Sequence, residues 1–221
     1  MGQTKHGRSA VGLVALLMAS LLAWPAIGLA HLGGQLSVPS LSTTSTTPTV
    51  TGDAAAVRTT VLGLLGTATT TALADTGTLS GVNDARDASM DTGTVPSVLT
   101  GEVLSAGTIS WPDEVDSAVS LANLNMTVAG IGITADSVVA QASQVAGAAG
   151  TGTATIDNLS INGMPVAVTG APNQTIWVPG GQVIINEQTI SSTGTAIVNA
   201  VHVAITGVAD VVIASATAGI S

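Results

Sequence analysis

The chain has no cysteine, no tyrosine and no phenylalanine, and only four basic side chains, Lys5, Arg8, Arg58 and Arg86, stand against thirteen carboxylates. The absence of cysteine excludes disulfide stapling and thiolate chemistry, so a fold must rest on its packed core. With aromatics limited to Trp24, Trp111 and Trp177, that core has to be aliphatic, with Ala, Gly and Thr letting sheets approach closely. The shortage of Lys and Arg disfavours nucleic acid and anionic membrane surfaces as partners, because the chain and such surfaces repel. Histidine, the commonest general base, is present at three positions, His6, His31 and His202. No Ser stands in a G-x-S-x-G elbow. The inventory points away from catalysis, and the expectation is that the protein is not an enzyme.

Residues 1–30 read as an export signal. Lys5 and Arg8 precede an uncharged apolar run from Ala10 to Ala23, Trp24-Pro25 interrupts it, and Gly28 and Ala30 supply small residues for cleavage before His31. An uncleaved anchor is the alternative, since the apolar character continues close to the ~20 residues of a spanning helix. Cleavage leaves no membrane span, and the remainder is expected to be secreted, either extracellular or in the cell envelope. Residues 31–50, rich in Ser and Thr with Pro39 and Pro48, read as a flexible spacer. Residues 51–221 keep one composition throughout and suit a single β domain.

Within that domain Ile161 to Gln188 carries two hairpins in tandem. Asn162-Gly163 suits a type I′ turn, which sets Ile161 against Met164, Leu159 against Val166 and Asp157 against Val168 on a core-facing side. Pro165 then falls opposite Ser160 in a non-hydrogen-bonded pair, where its missing N–H is harmless. The second hairpin sets Ile176–Val178 against Gln182–Ile185 across Pro179-Gly180-Gly181. A third, Ile197–Ile205 against Ala209–Thr217, turns over three residues and sets Val203 against Val211, Val201 against Ile213 and Ala200 against Ala214. Further strands are expected at Val57–Leu65, Thr67–Leu73, Val98–Ile109, Leu121–Val128 and Ile133–Ala142. A weak repeat relates NLNMTVAGIGI from Asn123 to NLSINGMPV from Asn158, and ADSVVAQAS from Ala135 to ADVVIASA from Ala209. The fold class expected is all-β: a hairpin-built antiparallel β-sandwich after an N-terminal signal helix, with a β-solenoid as the alternative.

LADTGTLSG from Leu73, GEVL from Gly101, SLANL from Ser120, SINGMPVAVTGAPNQTI from Ser160, VIINEQ from Val183 and ADVVIASATAGI from Ala209 together resemble the bacterial exported family called choice-of-anchor P. The resemblance spans about Thr51 to Ser221. It implies an exported surface protein whose relatives carry different C-terminal anchoring signals, and it implies no activity. The sequence departs from an anchored pattern in stopping at Ile220-Ser221 without a sorting motif or apolar tail.

Two acidic clusters, Asn83-Asp84 with Asp87 and Asp91, and Asp113, Glu114 and Asp116, offer the oxygen ligands that Ca2+ takes from loops. Neither has EF-hand spacing, and a solvated acidic loop is the competing reading; no cofactor is expected, with Ca2+ as the exception. Asn173, Gln174 and Asn186-Glu187-Gln188 lie in or beside turns, where amides bond open backbone groups. The ligand-binding alternative makes Asn173 and Gln174 a polar rim and Trp177 a stacking platform for a sugar, although a lone Trp in a β domain is more often core. Asp136, Asp157 and Asp210 lie near strand interiors, and Asp136 and Asp210 are expected to be buried hydrogen-bonding groups at equivalent hairpin corners. The functional expectation is a structural or adhesive surface protein whose partner is a cell-surface polymer or matrix component. The alternative is a carbohydrate-binding or carbohydrate-active protein.

Overall fold

The computed structural model describes residues 47–63 and 66–221; the expected signal and most of the spacer lie outside them. Thirteen strands follow one another among the described residues. In chain order they are β1 (Val50–Leu62), β2 (Ala68–Asp75), β3 (Ala85–Val95), β4 (Leu99–Ser110), β5 (Glu114–Val128), β6 (Ile131–Val145) and β7 (Thr151–Asp157). Then come β8 (Ser160–Ile161), β9 (Met164–Pro165), β10 (Gln174–Val178), β11 (Gly181–Ile190), β12 (Ala196–Ile205) and β13 (Ala209–Ile220). One sheet runs β10-β11-β12-β13-β1-β2 and the other β3-β4-β5-β6-β8-β9, with β7 also paired to β6. All pairings are antiparallel, and the two sheets pack face to face as a sandwich. No helix among the described residues is long and apolar enough to cross a membrane.

The core between the sheets is aliphatic. Val115, Ile133, Val138, Val183, Ile185, Val201, Val203, Val211 and Ile213 are buried, and so are Ala54, Ala140 and Ala218. Small residues let the sheets approach, because a Cβ on Gly52 would sit 2.6 Å from Thr108 Oγ1 and one on Gly152 2.0 Å from Val198 Cγ2, each in the opposite sheet. Two polar ties cross the interior. Ser117 Oγ, held 2.7 Å from Thr108 Oγ1, donates to the Thr217 carbonyl in the opposite sheet at 2.6 Å. Buried Gln144 donates to the carbonyls of Ala148 and Thr193 and accepts from the Ile220 N–H, so one amide joins β6, two turns and the end of β13.

A strand buried on one face should show its inward side chains at one parity throughout. Here the parity changes in mid-strand. Val211 and Ile213 point inward on β13, and then Ala216, Ala218 and Ile220 do; on β5, Val115, Val119 and Leu121 give way to Leu124, Met126 and Val128. The changes lie at one level across each sheet. In the six-stranded sheet Asn173, Asn186, Ala214 and Ala74 carry positive φ (61°, 51°, 53° and 44°), and the pairing places Ala200 and Ala56 in the same row. In the other sheet the corresponding positive-φ residues are Val103, Asn123 and Asn158. A left-handed residue turns the strand so that its two neighbours exchange faces, at a cost of about 1–2 kcal/mol for a non-glycine residue. Asparagine tolerates this conformation best, and it holds four of the seven positions.

The hairpin registers expected from sequence are largely present. Asn162 and Gly163 have φ of 52° and 75°, as a type I′ turn requires, with Ile161 opposite Met164 and Ser160 opposite Pro165. The Val166 N–H donates to the Leu159 carbonyl at 2.9 Å. Val203 faces Val211 and Val201 faces Ile213, as expected. Four expectations are corrected. The first hairpin does not extend to Asp157 and Val168, because Asp157 pairs with Ser137 of β6, and Met164 is exposed rather than in the core. The second turn is the two-residue Pro179-Gly180, with Gly180 at φ 79° and Gly181 already in β11. The acidic stretch from Asp84 to Asp91 is largely edge strand β3, where charges face solvent and blunt the edge. Asp136 and Asp210 are exposed, not buried, because each occupies an outward-facing position.

Two stability outcomes follow. Gly163→Val forces a β-branched residue into positive φ and is expected to destabilise the domain by roughly 1–3 kcal/mol in denaturant titration. Thr59 lies in the core, and its Oγ1 is a buried polar atom without a hydrogen-bond partner among the described residues. Thr59→Val keeps the shape and removes the unmet hydroxyl, so it should stabilise by about 1 kcal/mol in the same titration.

Candidate functional site

Directly opposed residues of an antiparallel pair share a face, so the registers of the six-stranded sheet lay out its outer surface as rows running across the strands. One row is Thr175, Ile184, His202, Val212, Arg58 and Ala72; the next is Trp177, Gln182, Ala204, Asp210, Thr60 and Thr70. On the far side of the left-handed band the same face carries Glu187, Asn199 and Asp75, brought there by the parity change. Without that change Glu187 and His202, fifteen residues apart, would not meet.

They do meet. His202 Nδ1 lies 2.9 Å from Glu187 Oε2 and its Nε2 lies 3.1 Å from Asp210 Oδ2. Carboxylate oxygens only accept, so both contacts are hydrogen bonds when both ring nitrogens carry protons, which is the imidazolium form. Burial by itself depresses the His202 pKa; the bonds to Asp210 and Glu187 and their charges more than reverse this, and the pKa is raised above 6.5. Asn199 Nδ2 donates to the same Glu187 oxygen at 2.6 Å. In the same row Arg58 is clamped between Asp53 and Asp75, to which its Nε donates at 3.4 Å. Burial tends to lower the Arg58 pKa, and these two carboxylates raise it further than burial lowers it. The face therefore holds an arginine and a histidine, each set between two carboxylates.

The amides expected to form a polar rim are turned inward to the chain. Asn173 Oδ1 accepts from the Gln188 N–H at 2.9 Å. Gln174 Oε1 accepts from the N–H and hydroxyl of Thr169, and its Nε2 donates to the Ala167 carbonyl. Asn186 Nδ2 donates to the Gly170 carbonyl, and Gln188 Nε2 reaches the Gly152 carbonyl of β7. These amides stitch the crossing from β9 to β10 and close the edge of β7, which is the structural role expected of them. Trp177 is different. It is 79% exposed on the outer face of edge strand β10, so the reading of it as a core tryptophan is corrected.

In the second acidic cluster Glu114 and Asp116 alternate along β5, and Asp113 lies in the turn before it. Burial raises the Glu114 pKa, and repulsion from Asp116 and Asp113 adds to the rise. In the first cluster Asp84 accepts from the N–H and hydroxyl of Ser80 and from Arg86, which lowers its pKa to about 2. Among the described residues no group of three or more His, Asp or Glu is gathered closely enough to hold a metal ion. The Glu187–His202–Asp210 group was missed in the sequence because its members come from three strands. The available signal was the parity change that puts Glu187 and His202 on one face.

Depressions mark the described surface. One, of about 390 Å3, lies at the β7–β8 corner between Asp157 and Val168. A second, of about 290 Å3, is lined by Thr60, Leu62, Ala204, Asp210 and the turn from Ile205 to Ala209, at the end of the outer face just described. Comparison with family models, with curated proteins and with solved structures finds no match to the chain.

The His202 clamp sets a pH dependence. A pKa raised on folding adds stability that is complete below the unfolded value of 6.5 and is lost as pH rises through the folded value. Melting temperature should fall over that window in the parent. In His202→Gln it should be flat there and lower than the parent at the acidic end.

Proposed function

We propose that the chain is an exported bacterial surface protein of structural or adhesive role, without catalysis, working outside the cell or in its envelope against a surface polymer or matrix component. One observation carries the reading: the histidine and the arginine of the outer face are each bonded to carboxylates of the same chain and not held open around a cleft. Glu187 and Asp210 hold His202 between them, Arg58 donates to Asp53 and Asp75, and Glu102 and Asp136 accept from Asn123 and Asn158 at 2.7 Å. In its protonated form His202 donates from both nitrogens to carboxylates and has no lone pair to serve as a base. The resemblance to choice-of-anchor P chains belongs to the same reading, as does the signal-like start of the sequence. In the test, purified protein is incubated with glycan and peptide substrates, and its retention on immobilised extracellular polymer is measured in parallel. Retention without turnover is expected. Turnover that Glu187→Gln abolishes at an unchanged melting temperature would overturn the proposal.

A second reading, carbohydrate binding, has its own observation in the exposed Trp177. A large indole left in water on a flat polar face forgoes roughly 2–3 kcal/mol of burial, and stacking against a sugar ring is the use that geometry permits.

A further inference from the structure

We infer that Trp177, Gln182, Ala204, Asp210 and Thr60 form a binding strip for an uncharged, extended polysaccharide lying across the strands of the six-stranded sheet. The strip rests on the carbohydrate-binding reading and gives it a location, a direction and a ligand class.

The five residues are successive partners in one row, each on the next strand: Trp177 opposite Gln182, Gln182 opposite Ala204, Ala204 opposite Asp210, and Asp210 opposite Thr60. Neighbouring strands lie about 4.8 Å apart, so the row is about 19 Å long, with a side chain at each interval comparable to one pyranose ring. Trp177 stands at one end with its indole exposed. Ala204 is the small residue in the middle, and beside it opens the depression of about 290 Å3 bounded by Thr60 and Asp210. A chain resting on the indole can therefore settle toward the sheet over Ala204.

The polar groups suit hydroxyls. Gln182 and Thr60 make no side-chain hydrogen bond with other described residues, which leaves an amide and a hydroxyl that both donate and accept. Asp210 is more than half exposed and gives only Oδ2 to His202, so Oδ1 can accept from a sugar hydroxyl while His202 fixes the carboxylate in place. His202 is in this respect a positioning residue. The charge on the face selects against acidic polymers: Asp53, Asp75, Glu187 and Asp210 outnumber Arg58 and His202, and a uronate or sulfate ester would meet repulsion.

The test uses the full purified chain and isothermal titration with cellohexaose, xylohexaose, mannohexaose and chitohexaose, with oligogalacturonate as the charged control. At least one neutral hexasaccharide should bind and the oligogalacturonate should not. Trp177→Ala should weaken binding at least about tenfold, and Gln182→Ala by several-fold. Both variants should melt with the parent, since the groups removed face solvent. Binding that neither substitution alters would leave the protein a carbohydrate binder and overturn the strip. No binding to any hexasaccharide would overturn both. A protein ligand lost in Trp177→Ala and not displaced by hexasaccharide would make the indole a protein contact and likewise overturn the strip.

Discussion

The molecule depends on a reversal of inside and outside at one level of both sheets. A sheet of ordinary alternation would carry one parity of residues from end to end and would separate Glu187 from His202 and Asp53 from Arg58. The left-handed row exchanges the faces of every strand that crosses it and keeps the register between neighbours, except at the irregular pairing of β4 with β5. Because all the strands turn together, the inner surface stays continuously aliphatic. The outer surface acquires juxtapositions that no single strand could make.

The cost of the row explains its composition. Four asparagines accept the left-handed conformation readily, and Asn123 and Asn158 also donate to Glu102 and Asp136 beside them. Alanine at 74 and 214 pays more in backbone energy and is tolerated where a larger side chain would not fit, since Ala214 lies fully buried between Ala56 and Ala200. Val103 is the exception: β-branched, left-handed and 66% exposed, it has neither a compensating bond nor a burial gain. The weak repeat between Asn123-Leu124 and Asn158-Leu159 has its physical basis here. In both places a left-handed asparagine is followed by a buried leucine.

The sequence was most legible where turn chemistry and alternation act within a few residues. Asn162-Gly163 and Thr206–Val208 fixed their registers, and Val201 and Val203 found their partners on that basis. It was least legible where the parity changes. Ala54, Ala55 and Ala56 offer no contrast between core and solvent, so the first seven residues of β1 had no visible phase, and the strand was expected only from Val57. β3 was hidden because an edge strand guarded by Arg86, Asp87 and Asp91 has the composition of a loop. Of the residues proposed for function, Trp177 was identified, but for its neighbours the sequence pointed along the chain to Asn173 and Gln174. The residues beside it in space, Gln182 and Asp210, are reached across the strands.

The first and last strands are neighbours in the middle of their sheet. β13 lies between β12 and β1, and Thr49 and Ser221 exchange backbone hydrogen bonds beyond the ladder. Partners more than 150 residues apart in the chain, such as Val57 and Ile213, must find each other before the six-stranded sheet is whole. A topology so dominated by distant pairings folds slowly. Until the final twelve-residue strand is available, β1 and β2 have no connection to β12, and the core facing them stays open. Without β13, strands β1 and β12 would each present an unpaired edge in the middle of what becomes one sheet, so that strand is where the sheet is most open to pairing with another chain.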